Sequence, residues 1–109
     1  MSGDKLHEEC GVFGVHINVQ EAAGLTYNAL SALQHRGQEG AGIAVLSRNA
    51  IVCRKNMGLV SEAFAGGVLD ELPSSGIGVG HVRYSTTGGN VRANVQPVAA
   101  EFLWGRIAV

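Results

Sequence analysis

A single cysteine stands where the composition of the chain changes abruptly. Residues 1–9 are polar, whereas the stretch that Cys10 opens, CGVFGVHI, is apolar and β-branched. Cleavage before Cys10 would give this residue a free α-amine, a group whose pKa is ordinarily about 8, beside its own thiol. One residue would then supply both a nucleophile and its base. The alternative is a small buried residue at the start of a strand, which is the commoner role of cysteine.

A second candidate is Arg83, which follows an apolar stretch and opens a polar, glycine-rich loop over 85–94. The guanidinium group offers a planar fork that binds a carboxylate through two hydrogen bonds. Loops that follow strands often bind ligands, and Thr86 and Thr87 add hydroxyl groups there. The polar segment QHRGQE over 34–39 is a third candidate. The alternatives are a surface charge for Arg83 and a solvated turn for 34–39.

The composition excludes several classes of function. The 109 residues are 46% hydrophobic and 16% charged, which is typical of one globular domain or part of one. Eight Lys and Arg against nine Asp and Glu leave no basic surplus for nucleic acid. No apolar run approaches the roughly 18 residues of a membrane span, and the N-terminus lacks the apolar segment of a secretory signal. We therefore expect a cytoplasmic protein in which Cys10 and Cys53 are free thiols.

Glycine is over-represented, with 16 residues mixed among Val, Ile and Phe. The run GIGVG over 76–80 does not fit a dinucleotide-binding motif, because its spacing is wrong and no helix-forming segment follows. We interpret these glycines as sites of close packing between backbone segments. His16, Cys53 and His81 lie in apolar runs, and we interpret them as packing residues.

The elements that must position these residues follow from the apolar spacing. Up to residue 84 the order is β-α-β-β-α-β, with Asn18 and Ser61 as N-caps of the two helices and a hairpin turn over 47–49, and one more strand begins at 102. The predicted helices cover 19–34 and 61–72, and the predicted strands cover 10–17, 41–46, 50–54, 76–84 and 102–109.

Most of these strands are apolar throughout, which predicts cover on both faces and therefore a layered α/β domain. The last strand has no later segment to pair with, so we expect the chain to be a fragment.

Four segments taken together resemble the amidophosphoribosyltransferase family. They are CGVFGV from Cys10, ALQHRGQEGAGI over 32–43, GHVRYST over 80–86 and NVQP over 94–97. This family is a branch of the class II glutamine amidotransferases, and the resemblance covers the chain from Cys10 to its end. Relatives that form amino sugars carry R-G-Y-D-S-A-G and R-W-A-T-H-G at the second and third segments, so RGQEGAG and RYSTTG favour the phosphoribosyl branch.

The resemblance implies roles for five residues. Cys10 would be the nucleophile that attacks the side-chain amide of glutamine, after autocatalytic removal of residues 1–9. Arg83 would bind the α-carboxylate of glutamine, with hydrogen bonds from Thr86. Arg36 would support the Cys10 site, and Tyr84 with the loop behind it would form a mobile flap over glutamine.

The resemblance also implies the fold and the partners. The fold would be the αββα four-layer sandwich of N-terminal-nucleophile hydrolases, an α/β (α+β) class, incomplete at the C-terminus. Residues 1–9 would be a propeptide, and 10–109 the N-terminal part of the amidotransferase domain. The rest of that domain, including an oxyanion-hole Asn-Gly pair, and the phosphoribosyltransferase domain would lie beyond residue 109.

The implied activity is hydrolysis of the glutamine amide, which supplies ammonia to convert 5-phosphoribosyl-1-pyrophosphate to 5-phosphoribosylamine in purine synthesis. The complete protein would be a homo-oligomer that uses Mg²⁺, and in this family a cleaved leader often accompanies a [4Fe-4S] cluster. Neither group is expected on the 109 residues. The alternatives are another class II amidotransferase, such as one that forms amino sugars, and an inactive truncated remnant.

Overall fold

The main feature of the fold is an antiparallel sheet of four strands. The computed structural model describes residues 10–34, 38–84, 95–97, 99–102 and 105–108. The strand order of the sheet is β1-β4-β2-β3, and each neighbouring pair is antiparallel. The predicted hairpin is confirmed, because Ser47 pairs with Ala50 across the turn. The four strands are β1 (Gly11–His16), β2 (Gly40–Ser47), β3 (Ala50–Met57) and β4 (Ile77–Arg83).

Helix α1 (Ala22–Leu33) packs on one face of this sheet at glycine positions. A Cβ atom at Gly80 would lie 2.5 Å from Cγ2 of Thr26 and 2.9 Å from Cδ1 of Leu30. A Cβ at Gly78 would lie 2.9 Å from the Thr26 hydroxyl. The helix therefore approaches β4 closely because these two residues have no side chain, as the sequence interpretation of close packing predicts.

The same face of the sheet carries the core. Leu30 of α1 packs with Ile43, Val45 and Val82, all of which are buried. These strand residues share one face because side chains alternate along a strand. Burial of these large aliphatic side chains makes the main contribution to the free energy that holds the helix against the sheet.

The opposite face is covered only in part within the described residues. Strand β2 is buried on both faces from Gly40 to Val45, whereas Val12 of β1 is 65% exposed. Residues Val95 to Pro97 pass over β2, where a Cβ at Gly40 would lie 2.7 Å from Cγ2 of Val95. Within the described residues, the predicted cover on both faces is present for β2, whereas β1 is an edge strand with alternating exposure.

A second, two-stranded sheet contains β5 (Ala99–Phe102) and β6 (Gly105–Ala108). Ala108 lies on the less covered face of the main sheet, where it lines a cavity of about 280 Å³ with Leu46, Ile51 and Val79. The order helix, sheet, second sheet agrees with three layers of the predicted αββα sandwich. The single strand predicted over 102–109 is wrong, because β6 pairs with β5 rather than lacking a partner.

The predicted second helix over 61–72 is also wrong in extent. Helix α2 covers only Val60–Ala63, and a 3₁₀ turn covers Leu69–Glu71. Gly66 and Gly67 lie between them with φ values of 68° and 85°, a backbone conformation that ends a right-handed helix. Ser61 is not the N-cap: Leu59 is, and its backbone N–H donates to the Glu62 carboxylate.

Helix α1 begins later than predicted. Its N-cap is Glu21, without a side-chain hydrogen bond, and Asn18 lies in a bend before it. Thr26 of this helix faces the sheet, with its hydroxyl close to Gly78, whereas Leu25 is 42% exposed. In the described part of the chain, no helix is long and apolar enough to cross a membrane.

Candidate functional site

The candidate nucleophile lies at the end of the sheet where β1 begins and β4 ends. Cys10 is a free, exposed thiol directly before β1. The backbone N–H of Tyr84 donates to the sulfur at 3.5 Å, and the thiol lies 3.9 Å from the Tyr84 carbonyl oxygen. The exposure favours the interpretation of Cys10 as a reactive residue over a small buried one, because a nucleophile must be reached by its substrate.

Arg83 lies beside Cys10 on the neighbouring strand. Gly11 pairs with Val82, and extension of this antiparallel register by one residue places Cys10 opposite Arg83. Residues directly opposite in a sheet have Cβ atoms about 4.5–5.5 Å apart and point to the same face. The guanidinium group of this half-buried arginine is therefore within reach of a ligand that is bound at the thiol.

His81 lies two residues before Arg83 on the same face of β4 and is only 8% exposed. Burial lowers the pKa of its imidazole, and the positive charge of Arg83 lowers it further. The ring is therefore neutral near pH 7, and Arg83 is the cationic member of the pair. The prediction of His81 as a packing residue is confirmed by its burial.

A buried glutamine supports the peptide bond between Arg83 and Tyr84. Gln38 is 6% exposed, and its side-chain amide donates to the carbonyl oxygens of Gly40 and Gly58 at 2.6 and 2.7 Å. The next residue, Glu39, donates its backbone N–H to the Arg83 carbonyl at 2.8 Å. The sequence predicts this segment as a polar candidate site, but it does not predict the burial of Gln38. The signal that could have identified Gln38 is a long amide side chain immediately before the glycine-rich β2.

Tyr84 contacts Cys10 through its backbone, and its side chain is 5% exposed and belongs to the hydrophobic core. Its role in a flap over glutamine stays a prediction, because the loop behind it lies outside the described residues. Arg36, Thr86 and the loop over 85–94 lie outside the described residues, and their roles stay predictions.

The second cysteine is remote from this site. Cys53 lies on β3, three strands from β1, and three strand spacings are about 14 Å. Burial raises the pKa of its thiol, which lies 3.6 Å from the Pro97 carbonyl oxygen. Both cysteines are free, as predicted. They are too far apart to bind one ion, and no three His, Cys, Asp or Glu side chains among the described residues form a metal site.

One predicted packing residue is placed differently. His16 lies at the end of β1 and is exposed, because its face of this edge strand is uncovered in the described structure. Its apolar neighbours in the sequence do not bury it, since alternate residues of β1 point to opposite faces.

Curated proteins that are similar to this chain are named amidophosphoribosyltransferases. Amidophosphoribosyltransferase 3, chloroplastic, from Arabidopsis thaliana is 52% identical over 106 residues, which are 97% of this chain and 20% of the relative. Amidophosphoribosyltransferase from Synechocystis is 47% identical over 97% of this chain and 21% of the relative. The chain thus spans about a fifth of the length of the curated relatives that it matches. No family model matches the sequence.

The fold comparison agrees. The solved structure of glutamine phosphoribosylpyrophosphate amidotransferase from B. subtilis, complexed with ADP and GMP, has a TM-score of 0.75 and 38% sequence identity. The match covers 89% of this chain and 20% of that one. The predicted fold class is therefore confirmed: the described residues form part of the N-terminal-nucleophile hydrolase fold.

Proposed function

The chain belongs to the amidophosphoribosyltransferase family, and we propose that the complete protein containing it removes the side-chain amide of glutamine at Cys10. The ammonia would convert 5-phosphoribosyl-1-pyrophosphate to 5-phosphoribosylamine, the first step of purine synthesis. The single observation that carries this proposal is the position of an exposed thiol against the Tyr84 backbone and beside Arg83.

The proposed reaction needs Cys10 at the N-terminus, which follows from cleavage of the Glu9–Cys10 bond. The sulfur attacks the amide carbon of glutamine, so that a C–S bond forms and the C–N bond breaks. The nitrogen leaves as ammonia with a proton that the α-amine of Cys10 carries. Water then adds to the γ-glutamyl thioester, releases glutamate and returns the thiol.

Arg83 would orient glutamine for this attack. By extension of the β1–β4 register, its side chain is on the same sheet face as that of Cys10, so an α-carboxylate bound by Arg83 would place the far end of the ligand near the sulfur. A charge-assisted, two-bond contact fixes the direction of the ligand as well as its affinity. Thr86 and Arg36 would add hydrogen bonds and support, as the family resemblance implies.

We assign neither metal nor cluster to the described residues. Their two cysteines lie three strand spacings apart, and no cluster of ligating side chains lies among them. Mg²⁺ and a [4Fe-4S] cluster of the complete protein would be held by other residues. The further proposals are small-molecule substrates, a homo-oligomer and a cytoplasmic location, although the Arabidopsis relative is chloroplastic.

The relatives do not favour the amino-sugar alternative, because those compared are named amidophosphoribosyltransferases. The alternative of an inactive remnant applies to the 109 residues alone, since removal of one oxyanion-hole donor typically costs a factor of about 100 to 1,000 in kcat. The test of the proposal therefore uses the complete protein.

The experiment is an acid quench during turnover with glutamine, followed by peptide mass analysis. We expect a glutamyl adduct on the peptide that contains Cys10 and none on the peptide that contains Cys53. The Cys53 thiol is the internal control, because burial raises its pKa and lowers its reactivity. An adduct on Cys53 alone, or turnover by a Cys10→Ala variant at the wild-type rate, would overturn the proposal.

A further inference from the structure

We propose that Gln38 is a positioning residue for the Cys10 nucleophile, acting through the peptide bond between Arg83 and Tyr84. The inference rests on the proposed function of Cys10 and deepens it. Gln38 does not touch the thiol, but a continuous series of described hydrogen bonds connects the two.

The central part of this series is one peptide group. The C=O of Arg83 and the N–H of Tyr84 belong to the same planar unit and point in opposite directions when that unit is trans. The carbonyl accepts from the Glu39 backbone N–H at 2.8 Å, on the β2 side. The N–H donates to the Cys10 sulfur at 3.5 Å, on the β1 side. The direction of this donor is therefore set by what holds the carbonyl.

Gln38 fixes the segment that holds this carbonyl. Its side-chain amide lies between the carbonyl oxygens of Gly40 and Gly58, so the amide nitrogen must face both, since only that group can donate. Gly58 in turn donates its N–H to the Glu39 carbonyl at 2.8 Å. Glu39 is thus hydrogen-bonded to Gly58 through its carbonyl and to β4 through its N–H. The buried Gln38 side chain donates to the carbonyl oxygen of the same Gly58.

The chemical consequence concerns the ionised form of the nucleophile. A hydrogen bond that is donated to a thiolate stabilises its charge and gives the sulfur a defined position. A shift of the Arg83–Tyr84 peptide would lengthen the contact from Tyr84 N–H to the sulfur, which is already at 3.5 Å. Loss of the Gln38 amide should therefore lower the reactivity of Cys10 more than it lowers glutamine binding.

The test uses Gln38→Met and Gln38→Glu in the complete protein. Both substitutions keep the approximate length of the side chain. Methionine removes both donated hydrogen bonds, and glutamate keeps at most the one that a protonated carboxyl donates. The matched control is Ser75→Ala. Ser75 is also buried, and its hydroxyl bonds to the backbone of Leu46 and Ile77 at the far end of the same sheet.

The main readout is the rate at which iodoacetamide alkylates Cys10 near neutral pH, followed by peptide mass analysis. We expect about a five- to tenfold lower rate in both Gln38 variants, and a similar loss of kcat with glutamine, from the weakened bond to a charged sulfur. The KM for glutamine should change less than about twofold, and product formation from added ammonia should stay at the wild-type level. Ser75→Ala should alkylate at the wild-type rate.

Two results would overturn the proposal. One is an alkylation rate within about twofold of the wild type in a folded Gln38 variant, given the size expected for such a bond. The other is an equal loss in Ser75→Ala, which would indicate general destabilisation. If Gln38→Met does not fold, Gln38→Glu carries the same test. A failure of the proposed function can be distinguished from a failure of the Gln38 proposal. If the proposed function is wrong, Cys10→Ala still uses glutamine, whatever the alkylation rates of the Gln38 variants are.

Discussion

The sulfur of Cys10, the residue before β1, lies 3.5 Å from the backbone nitrogen of Tyr84, the residue after β4, and β1 and β4 pair with each other. The two residues are 74 positions apart in the chain, and the register between β1 and β4 brings them together. That register also places Arg83 opposite the cysteine. The proposed nucleophile and the proposed carboxylate-binding residue therefore share one end of the sheet.

Arg83 should bind the α-carboxylate of glutamine. Lysine keeps the charge but loses the planar fork, and a charge-assisted contact of this kind is worth about 1.5–3 kcal/mol. In the complete protein, Arg83→Lys should raise the KM for glutamine about ten- to a hundredfold, as measured by initial rates at varied glutamine. Product formation from added ammonia should be unchanged, because ammonia has no carboxylate.

The matched control for this prediction is Arg54→Lys. Arg54 forms an exposed ion pair with Glu71 on the surface, at 2.8 Å. Its substitution should leave the KM for glutamine at the wild-type value. A KM for Arg83→Lys within about twofold of the wild type would show that Arg83 does not provide a two-bond contact of the expected strength.

The second prediction concerns the N-terminus. If the α-amine of Cys10 serves as the base, the mature protein must begin at Cys10, and residues 1–9 must be removed. N-terminal sequencing of active complete protein should therefore give Cys-Gly-Val. Cys10→Ala should retain residues 1–9, because autocatalytic cleavage needs the thiol. Fully active protein that keeps Met1 or Ser2 would refute this role of the amine.

A third prediction tests the close approach of α1 to β4. Gly80→Ala places a Cβ atom 2.5 Å from Thr26 and 2.9 Å from Leu30, and overpacking of this kind costs about 1–3 kcal/mol. The urea midpoint of unfolding should fall accordingly. Gly14→Ala on the adjacent strand is the control, because its nearest neighbour is 4.0 Å away and its cost should stay within about 0.5 kcal/mol. Equal shifts in the two variants would contradict the proposed packing.

Acid should destabilise the fold through His81. Its folded pKa is lowered from 6.5, first by burial and then by Arg83, so the unfolded chain takes up a proton at a higher pH than the folded protein does. The contribution of the neutral His81 side chain to the free energy of unfolding is fully present above pH 6.5. It is lost as the pH falls from there through the folded pKa. His81→Gln should therefore show a smaller loss of urea stability than the wild type between about pH 7.5 and about pH 5.5.

The exposed His16, on the neighbouring strand, supplies the control for this pH dependence. His16→Gln should lose as much stability over the same interval as the wild type. If the stability of His81→Gln depends on pH as that of the wild type does, the buried imidazole does not control the loss of stability at low pH.

Local sequence patterns were sufficient for part of this fold. The four strands of the main sheet and α1 could be predicted because apolar spacing reports burial directly, and the hairpin at 47–50 joins two adjacent β-branched stretches. The second helix could not be predicted reliably. Its apolar spacing continues through Gly66 and Gly67, whose positive φ values end it, and spacing does not report φ.

The candidate site could be predicted only in its residue types. The motifs around Cys10 and Arg83 identify both side chains, but their contact depends on pairing across 74 residues, which no local pattern contains. The burial of Gln38 could not be predicted for the same reason, because one of its two carbonyl partners is at Gly40 and the other is at Gly58, 20 residues away. The burial of the Tyr84 ring could not be predicted from its neighbours, because the residues that follow it are polar.

The most direct test of Cys10 as the nucleophile is a comparison of glutamine and ammonia as nitrogen donors for Cys10→Ser in the complete protein. A hydroxyl is a far weaker nucleophile than a thiol, which is already a few per cent ionised near neutral pH. The variant should therefore form phosphoribosylamine from ammonia at the wild-type rate and none from glutamine, while Cys53→Ser should use both donors normally. Undiminished use of glutamine by Cys10→Ser would contradict the assignment.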